Sequence, residues 1–214
     1  MDQSLFFLFN RDWTTPSLDL PMAALSSWAF WWPIAVVAAV LVAVFGGFHG
    51  RAALICAGIS VGITDGIVVG TIKDLVARPR PAVVMEGVRL VDLEKATPRL
   101  LALAKPPKIE MSKPLIWPVE GNSFPSSHAS NNFALAAVLA LFYRYGWLYF
   151  LPAFLIAYSR LYIGAHYPSD VLVGMILGTG VACLVVASME ALWRRFGAKF
   201  LPRLYERHPC LTRK

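Results

Sequence analysis

Three short stretches hold side chains that could act together on an anion. In SRLYIGAHYPSD, residues 159–170, His166 and Asp170 stand four residues apart. At a helix start, that spacing lets the carboxylate accept a hydrogen bond from one imidazole nitrogen. The other nitrogen is then bare and available as a nucleophile. The stretch FPSSHAS, residues 124–130, supplies a second histidine. His128 suits a proton donor to a leaving oxygen, because an unperturbed imidazole titrates near pH ~6.5. The third stretch, KDLVARPRP, residues 73–81, carries Lys73 and Arg80, and Arg160 completes a group of three cations. Like charges repel unless an anion lies between them. A phosphate fits, since arginine offers forked donors and lysine a point charge. Ser126 and Ser127 add hydroxyls, and Pro125 marks a helix start whose free N–H groups favour an anion. Metal ligation by His128, His166 and Asp170 is the competing reading. Three adjacent cations would repel a metal ion, so no metal and no cofactor is expected.

The elements that must position these groups are apolar helices. Of 214 residues 57% are hydrophobic and 15% charged, against about 25% charged in a typical soluble domain. That composition points to an integral membrane protein of all-α class, a polytopic transmembrane helical bundle in a single domain, 1–214. A crossing needs about 20 mostly apolar residues. Five spans are expected, at Leu20–Phe48, Ala52–Ile72, Ala129–Tyr143, Gly146–Tyr158 and Val171–Ser188, with six as the alternative. The opening SLFFLFN is too short to span and reads as an interfacial N-terminal helix. The first ten residues carry no basic residue ahead of their apolar stretch, so no cleavable signal pattern is expected. Cys56, Cys183 and Cys210 are too few for a disulfide framework. Asp65, inside the second span, reads as a local hydrogen bond to a neighbouring span, roughly 12 Å along a helix from Lys73.

Charge sets the expected orientation. Residues 193–214 hold seven basic side chains and one acid, so this tail should stay cytoplasmic. Its basic side chains suit anionic lipid headgroups, and no nucleic-acid partner is expected. Counting back through five spans puts the segment 74–124 outside. It also puts all three polar stretches on that same external face. Ionisable groups near membrane depth are costly and by default functional. Within the external segment, residues 88–108 group leucines with interspersed Lys and Arg. Pro98 predicts two short helical pieces that lie on the outer leaflet as a flap beside the site.

The three motifs carry a resemblance. Lys73, six residues, then Arg80-Pro81; Pro125-Ser126-Ser127-His128; and Ser159-Arg160, five residues, His166, three residues, Asp170: this order resembles the type 2 phosphatidic acid phosphatase superfamily, over 98 residues from Lys73 to Asp170. Ser127 stands where the family often has glycine. The resemblance implies a metal-free phosphatase with a phosphohistidine intermediate. By match, His166 is the nucleophile, Asp170 its orienter and His128 the general acid. Lys73, Arg80, Ser126, Ser127 and Arg160 would hold the phosphate. The expected substrate is a membrane lipid phosphate or diphosphate at the periplasmic side of a bacterial cytoplasmic (inner) membrane, with undecaprenyl diphosphate first. Phosphatidylglycerophosphate, a lipid A phosphate and phosphoryl transfer to another lipid are the alternatives. A vanadium haloperoxidase or a non-catalytic phospholipid binder are further readings, and oligomeric state is left open.

Overall fold

The computed structural model describes residues 1–114 and 121–212. The chain starts with α1, Asp2–Phe7, which runs into a wide π turn at Leu8–Asp12. Next come α2, Pro16–Ser26, α3, Trp28–Phe45, and α4, Gly47–Ile63. A second π turn, Thr64–Val69, carries α4 directly into α5, Gly70–Val76. A short α6, Pro81–Val84, follows. Strands β1, Arg89–Asp92, and β2, Lys108–Met111, then flank a 3-10 turn at Arg99–Ala104. The order closes with α7, Ser127–Phe142, α8, Phe150–Tyr162, α9, Pro168–Phe200, and α10, Pro202–Arg207.

Helix α7 is the hub, packing against α4, α8 and α9. Its buried residues are mostly small: Ala129, Ser130, Ala134, Ala136 and Ala137. Opposite them α9 presents Gly174 and Gly178. A Cβ on Gly174 would lie 2.7 Å from the Ser126 carbonyl oxygen, and one on Gly178 would overlap the Ser130 carbonyl. Lipid tails are as apolar as leucine, so helices in a bilayer associate through close packing rather than water exclusion. Small residues on both sides supply that closeness. Outside this hub the surface is apolar. Of the 18 residues of α3 only Phe30 is buried, and Val36, Val37, Val40 and Leu41 are each more than half exposed. Such a surface calls for hydrocarbon around it. Helix α3, the stretch Gly47–Val84 and α9 are long and apolar enough to cross a membrane, and the chain is an integral membrane protein.

Several expectations change. Helices α7 and α8 have 16 and 13 residues, about 24 and 20 Å at 1.5 Å per residue, against a hydrocarbon core of about 30 Å. Length and composition therefore carry three crossings of the five expected. The uncharged run Leu20–Phe48 is divided at Ser27, whose extended backbone (φ −85°, ψ 103°) turns α2 away from α3 and onto α8. The fold is not purely α-helical. In residues 88–108 there are no two helical pieces; β1 pairs antiparallel with β2, Arg89 opposite Met111 and Asp92 opposite Lys108. Alternation decided this: Val91 and Leu93, two residues apart, are buried, with the exposed Asp92 between them. Pro98 does interrupt the segment, at the start of the 3-10 turn. Residues 115–120 of the 74–124 segment, and 213–214 of the tail, lie outside the described residues.

The N-terminal helix is no simple interfacial element. Phe6 is buried against Val88 and Tyr167. The fully buried Asn10 donates to the carbonyls of Arg89 and Tyr162, both at 2.8 Å, and accepts from Arg89 N–H at 2.8 Å. Asp65 is exposed within the π turn, and no hydrogen bond or ion pair holds it among the described residues. At the far end of α9, the tail folds back: Leu211 is buried beside Cys56, and Trp193 Nε1 donates to the His208 carbonyl at 2.8 Å.

Candidate active site

The end of the bundle remote from that tail gathers all three polar stretches. Helix α5 ends at Ala77, whose left-handed backbone (φ 45°, ψ 35°) releases the chain into Arg78-Pro79-Arg80. Pro79 bars a helical conformation at Arg78, and the extended strip is held from the other side. The N–H of Ser123 donates to the Arg78 carbonyl at 2.9 Å. A Cβ on Gly121 would overlap Pro79 and the Arg78 carbonyl, so only glycine allows this approach. The chain then enters α7 with Ser126 as its N-cap, and the Ser126 N–H donates to the Asp170 carbonyl at 3.0 Å. The first turn of α7 is thereby locked to the first turn of α9. Between α8 and α9, Gly164 (φ 79°) makes the turn that delivers His166.

His166 is almost fully buried. Its Nδ1 lies 2.7 Å from the Ser123 carbonyl oxygen. A carbonyl can only accept, so Nδ1 carries the hydrogen and Nε2 is the bare nitrogen. Asp170 is not the direct partner that its spacing predicted: its Oδ2 is 3.6 Å from Nδ1. That oxygen is already taken by Ser123 Oγ at 2.6 Å and by the Tyr167 N–H at 2.9 Å, as a cap on α9. Asp170 thus faces the ring as a buried charge, and a backbone carbonyl orients it. Desolvation lowers the His166 pKa to about 4; the neighbouring Asp170 opposes this, and Arg160 and Arg80 add to it. The ring is therefore neutral at pH 7.

The other expected residues surround it. Lys73 Nζ donates to Ser127 Oγ at 2.7 Å. Arg160, buried in α8, bonds the carbonyl oxygen of Ser26 at 3.2 Å and the Ser26 hydroxyl. The Ser26 backbone also lies close to His128. Lys73, Arg80, Arg160, His128 and His166 lie near enough to act on one another electrostatically. Among the described residues, four buried polar atoms in this group have no hydrogen-bond partner: Ser126 Oγ, His128 Nε2, Arg80 Nε and Arg160 Nε. Buried polar groups are rarely left unpaired without reason. All four are donors by nature, or can be, and an oxyanion is the partner they lack. Among the described residues, no three His, Cys, Asp or Glu side chains gather closely enough to hold a metal ion.

Sequence reasoning missed four contributors. Arg78 Nη1 donates to Asp170 Oδ1 at 2.7 Å, and Asp2 Oδ2 accepts from Arg78 Nη2 at 2.7 Å. Ser123 holds both Asp170 and His166, and Ser26 holds Arg160. Arg78 and Ser123 lay inside or beside the quoted motifs, where a third arginine and a hydroxyl ahead of Pro125 were the available signals. Asp2 and Ser26 carried none.

The sequence model described as the PAP2 superfamily matches residues 52–194. Over 189 residues the chain is 29% identical to a lipid A 4'-phosphatase of Bacteroides thetaiotaomicron, covering 83% of this chain and 72% of that protein. It is 39% identical over 67 residues to an undecaprenyl-diphosphatase of Sulfolobus acidocaldarius, covering 30% of this chain and 32% of that one. The crystal structure of Aquifex aeolicus LpxE superposes with a TM-score of 0.60 at 25% identity, over 87% of this chain and 94% of that chain.

Proposed function

The chain belongs to the PAP2 superfamily and is a membrane lipid phosphatase, and on that premise we propose that it hydrolyses the phosphate monoester of a lipid A type headgroup through a phosphohistidine. His166 Nε2 attacks phosphorus. The ester bond opposite breaks, and the leaving sugar oxygen takes a proton from His128, whose pKa burial and Arg160 lower to about 3 and whose charged form the bound phosphate dianion restores. The phosphoryl group is then on Nε2, with Nδ1–H still held by the Ser123 carbonyl and the ring's positive charge facing Asp170. Water, giving its proton to His128, attacks the phosphorus from the vacated side and releases inorganic phosphate. Lys73, Arg80, Arg160, Ser126, Ser127 and the free N–H groups at the start of α7 hold the three equatorial oxygens, where charge spreads in the transition state.

The observation that carries this reading is the set of unpartnered buried atoms around a histidine whose tautomer leaves Nε2 bare. The choice of headgroup rests on the relative whose similarity extends over 83% of the chain. Undecaprenyl diphosphate is the second reading, favoured by the higher identity of a shorter segment. The same pocket would accept its terminal phosphate, with phosphate rather than an alkoxide leaving. Five crossings, with the site on the external side of the cytoplasmic membrane and the basic tail inside, complete the proposal. This orientation is tested by labelling intact cells with an impermeant thiol reagent. A cysteine at Glu86 should react and Cys210 should not, and the reverse pattern overturns it.

The function is tested on purified protein with lipid A, undecaprenyl diphosphate and phosphatidylglycerophosphate side by side. Phosphate release from lipid A should be fastest. Quenching in alkaline detergent should trap label that is alkali-stable, acid-labile and lost in His166→Ala. Equal label in that variant rejects the nucleophile, and a faster reaction on undecaprenyl diphosphate rejects the headgroup.

A further inference from the structure

Behind His166, on the side away from the unpartnered donors, lies a line of alternating charge that the reaction above does not use. Asp170 is fully buried, and its Oδ1 accepts from Arg78 Nη1 at 2.7 Å. The other arm of that guanidinium, Nη2, donates to Asp2 Oδ2 at 2.7 Å. Ser169 ties the two ends together. Its hydroxyl accepts from Arg78 Nη1 at 2.8 Å and donates to Asp2 Oδ2 at 2.6 Å, while its N–H donates to Asp2 Oδ1 at 3.1 Å. The Tyr167 ring lies under the guanidinium, 3.8 Å from Cζ. Arg78 is thus fixed by two carboxylates, a hydroxyl and an aromatic face. Burial opposes the charge on Asp2, but the Ser169 and Arg78 bonds outweigh it and hold Asp2 below the usual carboxylate range.

We propose that Arg78 and Asp2 are positioning residues for the phosphatase reaction, which hold Asp170 ionised and set the field it exerts on His166. A carboxylate removed from water must be paired with a positive charge or it takes up a proton. Apart from His166 itself, Arg78 is the cation within ion-pair distance of Asp170 among the described residues. Asp2 in turn neutralises part of the arginine charge, so more of the Asp170 field reaches the ring. The groups that face His166 are Asp170 from α9, Arg160 from α8, His128 from α7, Arg80 from the strip after α5 and the Ser123 carbonyl. The two new residues act through the first of these alone. Asp2 lies outside the stretch matched to the family, residues 52–194. The opening helix of this chain therefore completes a site whose motifs begin some 70 residues later.

The inference rests on the phosphatase reading, and its test separates the two. Full-length wild type, Arg78→Gln, Arg78→Lys and Asp2→Asn are purified in detergent. Steady-state kinetics use dioctanoyl phosphatidic acid, and the titration of His166 is followed by 15N NMR. Arg78→Gln should lower kcat about 10- to 100-fold with little change in KM, as loss of outer partners does at other preorganised sites. It leaves the buried Asp170 without its cation, so the carboxylate takes up a proton and the His166 midpoint should fall. Asp2→Asn removes a negative charge, so its smaller loss of kcat should come with a midpoint shifted downward. Arg78→Lys, which keeps the charge, should recover most of the rate. Equal midpoints in all four proteins, or a wild-type kcat in Arg78→Gln, overturn the inference. Should Arg78→Gln fail to fold, the downward shift in Asp2→Asn and the rate of Arg78→Lys decide. A wild type that releases no phosphate from any lipid rejects the phosphatase reading, while the midpoints still judge this one.

Discussion

Asp170→Asn isolates charge from shape. The asparagine carbonyl can replace one carboxylate oxygen against Arg78, so the shape is kept while the charge is lost, together with one acceptor for the Ser123 hydroxyl and the Tyr167 N–H. In the wild type that charge stands 3.6 Å from His166 Nδ1, with both side chains almost fully buried. When the ring carries a phosphoryl group it is cationic. The attraction across that distance is about 4–5 kcal/mol at an effective dielectric near 20, the value that suits buried pairs in practice. Little of it acts on the neutral ring of the resting enzyme, so most should appear in the barrier. A loss of this size slows the chemical step about a thousandfold. Rapid-quench measurement of phosphohistidine formation reads that step directly. The Ser123 carbonyl still orients the ring in the variant, so residual turnover should persist where His166→Ala has none. A fall of less than tenfold, in a variant that retains its thermal midpoint, would refute the idea that Asp170 works as a charge.

Three further outcomes follow from the geometry. Because burial lowers the His166 pKa to about 4, the ring should stay neutral from pH 7 down to 5 and take up its proton only as pH approaches 4, read by 15N NMR of the purified protein. A midpoint near 6.5 contradicts this. Gly178→Val places a branched side chain against the Ser130 carbonyl and should push α7 from α9, costing about 1–3 kcal/mol of stability as overpacking does; unchanged unfolding temperature and activity would show that the two helices can separate freely. The 3-10 turn at Arg99–Ala104 presents Leu100 and Leu101, each more than half exposed, beside Arg99 and Lys105. Serine at both leucines should slow turnover of long-chain lipid in vesicles and spare a short soluble phosphate ester, and equal effects on the two would exclude a role at the lipid surface.

The chemistry was legible in the sequence because it depends on residue type and short spacing. Lys73, Arg80, Ser126, Ser127, His128, Arg160, His166 and Asp170 do lie at one end of one bundle. Their division of labour was not legible. The i, i+4 spacing of His166 and Asp170 suggested a direct bond, but a backbone carbonyl 43 residues earlier took that place, and backbone carbonyls have no sequence signature. Asp2 and Ser26 were unreadable for a related reason: their roles arise from how α1 and α2 dock, a tertiary outcome. The β1–β2 pair was hidden by leucines between prolines, which read as helix when the alternation of Val91, Asp92 and Leu93 was the stronger signal. The uncharged run from Leu20 hid the break at Ser27, since hydropathy records no direction of the chain.

The π turn at Thr64–Val69 fixes the rotational phase of everything beyond it. A regular α-helix advances about 100° per residue, whereas a π turn lodges one additional residue within the same ascent. The helix that starts at Gly47 thus arrives at Lys73 with its azimuth displaced by one residue, and at that azimuth Nζ meets Ser127 Oγ at 2.7 Å. Removing a single residue here, such as Gly66, where a side chain would meet nothing within 4 Å, would heal the turn into ideal helix and leave Lys73 in phase. Straightening the turn with all its residues kept would instead rotate Lys73 about 100° around the axis, away from α7. That helix would be the more regular one, above an anion site missing one of its cations, so the irregularity works as a phase adjustment between a membrane-embedded rod and the chemistry at its end.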